Sequence, residues 1–194
     1  MNEAESIGYA RLVMSYDYAL ALRCLKEALL CSPRQHTKET QETDLVFLDL
    51  AAASGANALA LHALLQKERT VQYQLVEKRS TFRDVLLPKL FATAGPFPLQ
   101  PVITADVDPT QRKADLLIWS PLSHVLPGQA SLRAIQDRLD VAWDRLQTDG
   151  LLVLADQGAF PHYQRLMALR DHLIRKGATL KAPVPDFVFS VVDS

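Results

Sequence analysis

The sequence predicts an α/β chain: three layers, a mostly parallel sheet with helices on both faces, preceded by a helical arm. Three observations carry this expectation. Short apolar runs such as Leu45–Leu48 lack in–out alternation, so they read as strands buried on both faces. Between them stand segments whose apolar residues recur every three or four positions, the period of a helix. The two kinds alternate from residue 44 onward, and that order gives parallel pairing with helices above and below the sheet. With 194 residues, 48% apolar and 22% charged, the chain suits one globular domain and is not disordered. We divide it into an arm and linker, 1–43, and a main domain, 44–194.

Tyr9–Cys31 is helical, with Val13, Leu20, Cys24, Ala28 and Cys31 on one face. Polar Ser32–Thr43, containing Pro33, is a linker. Leu45–Leu48 is the first strand and Ala51–Gly55 a turn; Ala58, Leu61, Leu64 and Leu65 then mark a helix ending in the charged run Gln66–Arg69. Val71–Glu77 is a second strand, followed by a helix near Thr81–Phe91 and a proline-rich loop, Gly95–Pro101. Val102–Ala105 and Asp115–Trp119 are the third and fourth strands. Leu132, Ile135, Leu139, Ala142, Trp143 and Leu146 form one helical stripe, and Asp149-Gly150 turns the chain into the strand Leu151–Ala155. Pro161 opens a helix that Arg175-Lys176-Gly177 closes, cations before glycine. Phe187–Val192 is the last strand.

In such a sheet, ligands bind beyond the carboxyl ends of the strands, where the strand order reverses. The first strand leads into Asp49-Leu50-Ala51-Ala52-Ala53-Ser54-Gly55, an acid and a run of tiny residues before a helix. Small side chains let a ligand approach the backbone, and helix-start N–H groups face it. The second strand ends at Glu77, where a carboxylate can accept both hydroxyls of a ribose. A plain tight turn and a solvated strand end are the competing reading. Asp106 and Asp108 follow the third strand, where an acid can touch an adenine edge; surface acids in a turn are the simpler account.

A net charge of −1 gives no bulk attraction for nucleic acid. Lys78, Arg79 and Arg83 make a small basic cluster, and Arg165, Arg170, Arg175 and Lys176 line a helix; these could grip phosphates, but solvated faces are the expected account. The five histidines, His36, His62, His124, His162 and His172, lack zinc-type spacing with cysteine, so no metal site is expected. His124 follows the fourth strand near the crevice and reads first as a loop histidine. Cys24 and Cys31 share a helix with α-carbons roughly 10 Å apart, too far for a disulfide, and free thiols suit a reducing compartment. No run of about 20 apolar residues is present to span a bilayer. The acidic start, Met-Asn-Glu-Ala-Glu-Ser, resembles neither a secretory signal nor a transit peptide.

From about Leu45 to Val192 the chain resembles the class I S-adenosylmethionine-dependent methyltransferases, of Rossmann-like fold: Leu48–Gly55 looks like their first motif and Val76-Glu77 their second. More narrowly it resembles the mitochondrial and bacterial small-ribosomal-subunit methyltransferase-like family. The residues that carry this are Gly150–Gly158, the stretch Tyr163–Ile174, Ala182–Asp186, Asp115–Pro127 and the leading helix around Tyr9–Leu30. The resemblance implies S-adenosylmethionine as cofactor and Asp49, Ala51, Ala53, Gly55, Glu77, Asp106 and Ser120 as cofactor-binding residues. It also implies ribosomal small-subunit RNA and proteins as partners, with no membrane or DNA, and mitochondrial placement, which would require a targeting segment ahead of this acidic start. Without that family tie, the expected place is the cytoplasm.

The departures matter as much. The family's loop has three alternating glycines, and only Gly55 matches; Ala51 and Ala53 stand at the others, adding methyls toward the methionine part of the cofactor and strain wherever φ must be positive. Val184 occupies the family's cysteine position, so no iron–sulfur cluster is expected. After the fourth strand stands Ser120-Pro121-Leu122-Ser123 in place of the Asn- or Asp-Pro-Pro-aromatic turn of base-amine methyltransferases, and no nucleophilic cysteine is at hand. The sequence therefore favours a degenerate, binding-type member over an active methyltransferase acting on RNA, protein or a small molecule. A Rossmann dehydrogenase would need more glycines than this loop has.

Overall fold

In a computed structural model the chain forms a seven-stranded sheet in the order β3-β2-β1-β4-β5-β7-β6. The structure describes residues 3–31, 44–65, 70–94, 100–120, 131–156, 160–184 and 188–192. The strands are β1 Leu45–Asp49, β2 Val71–Val76, β3 Val102–Thr104, β4 Ala114–Trp119, β5 Leu146–Ala155, β6 Thr179–Val184 and β7 Val188–Val192. The helices are α1 Glu3–Cys31, α2 Ala56–Leu65, α3 Leu87–Thr93, α4 Leu132–Trp143 and α5 Phe160–Arg175, with a π-helical segment at Thr81–Leu86 leading into α3. Strands β3, β2, β1, β4 and β5 run parallel, while β7 pairs antiparallel with both β5 and β6. The order reverses between β1 and β4, so the crevice lies beyond their carboxyl ends.

Period-two alternation sends side chains of each central strand to two separate cores. Leu45 and Phe47, Tyr73 and Leu75, Leu116 and Ile118, and Leu151 and Val153 pack against α1 and α2; Phe47 and Tyr73 meet edge to face at 5.8 Å. Val46 and Leu48, Leu117 and Trp119, and Leu152 and Leu154 pack against α4 and α5. The leading helix contributes Ala21, Cys24, Leu25 and Ala28 to the first core, so it covers the sheet and does not stand away from it. On the other face Asp140 of α4 pairs with His172 at 2.7 Å and Lys176 at 2.9 Å, tying the two helices together.

Three local expectations change. The α4 helix stops at Trp143, and Leu146 opens β5 by pairing with Ala114. Its helical spacing is real, but strand pairing decides its state. Asp149, at φ 62, and Gly150 then form a bulge inside β5 in place of a turn before it. The sequence reading places no strand at β6; it lies on the edge of the sheet, where the missing N–H of Pro183 is tolerated. The predicted end of α5 holds: Gly177 has φ 100, and the Ala178 amide bonds the Leu173 carbonyl at 3.0 Å. Charged run 66–69, most of the 95–101 loop and the linker lie outside the described residues. No helix among the described residues is long and apolar enough to cross a membrane.

The β3–β4 crossing carries no helix. Buried Arg145 holds it instead, donating to the carbonyls of Pro109 at 3.0 Å, Gln111 at 2.7 Å and Arg112 at 3.3 Å. Gln74 adds a bond to the Arg112 carbonyl at 3.0 Å. Replacing Arg145 by Met leaves these carbonyls without their charged donor. We expect a loss of about 2–3 kcal/mol in urea unfolding; unchanged stability would show that the crossing holds itself.

Candidate functional site

Beyond the strand tips lies a cavity of about 500 Å³, within the size range of small-molecule sites. Leu50, Val76, Val107, Trp119 and Val141 give it apolar walls; Ala51, Glu77 and Asp106 border it, with Lys78, Arg79, Asp137 and Arg138 at its polar edge. The helix-free crossing supplies Asp106 and Val107, so Arg145, which sequence reasoning passed over, shapes this wall from behind.

The predicted site residues divide into three groups. Ala51, Glu77 and Asp106 line the cavity. Asp49 and Ser120 are buried beside α2: Asp49 Oδ1 accepts from the Ala51 amide at 3.0 Å and from Asn57 Nδ2 at 3.2 Å, and the same Asn57 nitrogen donates to the Ser120 carbonyl at 3.0 Å. Asp49 Oδ2 and Ser120 Oγ are buried without a hydrogen-bond partner. Ala53 and Gly55 form the third group, behind the cavity wall. Gly55 has φ 78, a backbone state that favours glycine, and an added Cβ would also stand 2.6 Å from the Leu90 side chain of α3. Ala53 has φ 41, the strain anticipated for alanine in this loop; Ala51 is not in that region.

Glu77 and the loop are joined directly. The Ala53 amide donates to Glu77 Oε2 at 2.9 Å, and the Ala52 amide to the Val76 carbonyl at 3.1 Å. Arg79 donates to Glu77 Oε1 through its amide at 2.8 Å and Nε at 2.9 Å, and to Oε2 through Nη2 at 2.9 Å. Burial alone would raise the Glu77 carboxyl, but the Arg79 fork and amide, with the Ala53 N–H, outweigh it and hold the carboxyl below its ordinary value. Asp49 behaves oppositely: burial raises it to about 7, against the Ala51 and Asn57 bonds that lower it, with the charges of Glu77 and Asp17 adding to the rise. Asp17 of α1, buried as well, is pushed up by burial to about 6.

The basic cluster is internally paired: Lys78 with Asp106 at 3.0 Å, Arg79 with Glu77, and Arg83 with Asp84 at 2.7 Å. On α5, Arg170 pairs with Asp171 at 2.6 Å, and Arg165 lies 3.9 Å from buried Asp156, which His162 meets at 3.1 Å. Asp108 caps the crossing by accepting from Thr110, whose side chain above all lowers its carboxyl; it is not a cavity residue. His124 and His36 lie outside the described residues. Among the described residues no group of His, Cys, Asp and Glu could hold a metal ion.

No protein-family profile matches the chain, and no curated protein sequence matches it. Solved structures do. A protein of Methanococcus maripaludis assigned as an S-adenosylmethionine-dependent methyltransferase is 12% identical with a TM-score of 0.59, covering 100% of this chain and 93% of that one. A Corynebacterium diphtheriae domain assigned as a precorrin-6Y C5,15-methyltransferase is 18% identical with a TM-score of 0.55, covering 95% and 99%. A Listeria monocytogenes protein assigned as a class I S-adenosylmethionine-dependent methyltransferase is 10% identical with a TM-score of 0.59; 91% of this chain matches, spanning 59% of that one. The chain therefore has the fold of the class I S-adenosylmethionine-dependent methyltransferases.

Does the site fit that cofactor? Apolar walls suit an adenine ring, while Asp49, whose Oδ2 is buried without a hydrogen-bond partner, does not line the cavity. Glu77, the acid expected to meet a ribose, does not fit as it stands, because Arg79 and Ala53 already engage it.

Buried Asp49 makes stability depend on pH. A carboxyl raised in the fold binds its proton more tightly there than in the unfolded chain, so its contribution is fully present below about pH 4. That contribution is lost as pH rises toward about 7, at no more than about 1.4 kcal/mol per pH unit. Asp17 adds the same sign up to about 6. Asp49→Asn should flatten the fall in urea midpoint between pH 5 and pH 8. A variant as steep as wild type would contradict the assignment.

Proposed function

We propose that this chain is a degenerate methyltransferase-like protein that works by binding the RNA and proteins of a small ribosomal subunit, in a reducing compartment such as the mitochondrion. One observation supports the loss of turnover above others: the loop that would receive the amino-acid end of S-adenosylmethionine bonds to its own chain. The amides of Leu50, Ala51, Ala52, Ala53 and Gly55 go to the Ile118 carbonyl, Asp49, the Val76 carbonyl, Glu77 and the Ala52 carbonyl. At these five positions a ligand carboxylate meets donors already engaged, and Ala51 lines the cavity. The ribosomal part rests on the sequence resemblance. It is compatible with the neighbours, which include a Clostridium thermocellum protein assigned as an rRNA methylase and a ribosomal protein L11 methylase of Lactobacillus delbrueckii.

The second reading, an active methyltransferase on RNA, protein or a small molecule, is favoured by the cavity itself, whose volume suits a small molecule and which keeps Glu77 on its border. Titration calorimetry with S-adenosylmethionine separates the two. The wild-type chain should give no heat at millimolar cofactor, and an Ala51→Gly/Ala53→Gly variant should gain binding, since glycine removes the wall methyl and relaxes Ala53. Micromolar binding by the wild type, lost on Glu77→Ala, would establish the second reading. Co-sedimentation of the wild-type chain with small ribosomal subunits is expected, and a chain that stays in the supernatant would remove the ribosomal part.

A further inference from the structure

The cavity and the expected ligand disagree at one group, the carboxylate at the tip of β2. A carboxylate offers about four lone-pair positions. Glu77 Oε1 receives the Arg79 amide and Nε, and Oε2 receives the Ala53 amide and Arg79 Nη2, all at 2.8–2.9 Å. Four donors meet four positions, so a ribose diol finds no acceptor there.

Arg79 is built into this place. Its guanidinium carbon lies 4.2 Å from the centroid of the Phe82 ring, and Phe82 is fully buried. The amides of Phe82 and Arg83 bond the Arg79 carbonyl at 3.1 and 3.0 Å, which fixes its backbone from the π-helical side. Such π-helical turns are frequent at functional sites. Neighbouring Lys78 differs: its bridge to Asp106 joins two side chains that are 60% and 76% exposed. The Arg79 side chain is 36% exposed against 5% for Glu77, so the arginine is far more open to water than the acid.

Resting on the reading of the cavity as an adenosyl pocket, we propose that Arg79 is the internal occupant of the ribose subsite and gates the crevice. A nucleoside with a free 2′,3′-diol enters by exchanging with the guanidinium on Glu77. A nucleoside lacking the diol has nothing to exchange and gains nothing when the arginine is removed.

The test is calorimetric titration of the full chain with adenosine and with 2′,3′-dideoxyadenosine. It compares wild type with Arg79→Met, which keeps an aliphatic stem over Phe82. Arg79→Lys, which keeps charge and stem but not the fork, is the second variant should Met fail to fold. Adenosine should bind Arg79→Met at least about ten-fold more tightly than wild type, the equivalent of one charge-assisted hydrogen bond recovered. Arg79→Lys should fall between them, and dideoxyadenosine should not change. Equal gains for both nucleosides would mean that the arginine only fills space, and would overturn the gate. No gain for either, while Ala51→Gly/Ala53→Gly acquires S-adenosylmethionine binding, would overturn the gate and leave the pocket reading standing. Nucleoside binding by none of these variants would overturn the pocket reading and the gate with it.

Discussion

The Glu77 carboxylate is the point on which the crevice depends. It is nearly buried at the tip of β2, and it reaches across to the loop after β1 to take the Ala53 amide. That bond spans two strands that are already neighbours, so it extends the sheet's order one step past the last ladder contact, Asp49 with Leu75. A buried carboxylate without partners would be costly. Arg79 meets the requirement from within the chain, two residues along, and the acid stays ionised. Stabilising this acid internally is what sets it against a ligand: the contacts that satisfy it are those a sugar would need.

The turn that ends β1 at Asp49 then separates groups that stand close in sequence. Asp49 closes β1 toward α2 and Asn57, within reach of the charge on Asp17, whereas Ala51 borders the cavity with Trp119 and Val141. Gly55, the one glycine retained from the loop pattern, is held by the packing of Leu87, Leu90 and Phe91. Its φ of 78 alone favours glycine there, and it does not line the cavity. The loop's small residues stand in different settings: Ala51 on the cavity wall, Ala53 strained at positive φ, and Gly55 at positive φ against α3.

Much of this architecture was legible in the residues, and for physical reasons. Unalternated runs such as Leu45–Leu48 can be satisfied only between two layers, and the cations before Gly177 mark a helix end wherever they fall. Strand β6 was hidden because Pro183 is tolerated only by an edge, and edge position is a property of the whole sheet. Leu146 was misassigned because its spacing serves a helix stripe as well as the strand partner that Ala114 provides. In the site, the acid at the strand tip could be read from Val76-Glu77. The Arg79 fork could not, because residues two apart meet only when the backbone turns between them, and no residue in Lys78–Ser80 announces that turn. Arg145 was equally silent: nothing local ties an arginine after α4 to carbonyls more than thirty positions earlier.

A double-mutant cycle on Glu77→Gln and Arg79→Met, read as unfolding free energy in urea at pH 7, measures the contact at the centre of this account. A partly buried, forked arginine–carboxylate pair should show a coupling of about 1–2 kcal/mol, and the Glu77 variant alone should loosen the loop after β1. Additive effects of the two substitutions, with no coupling, would contradict the claim that this pair holds the crevice in its present form.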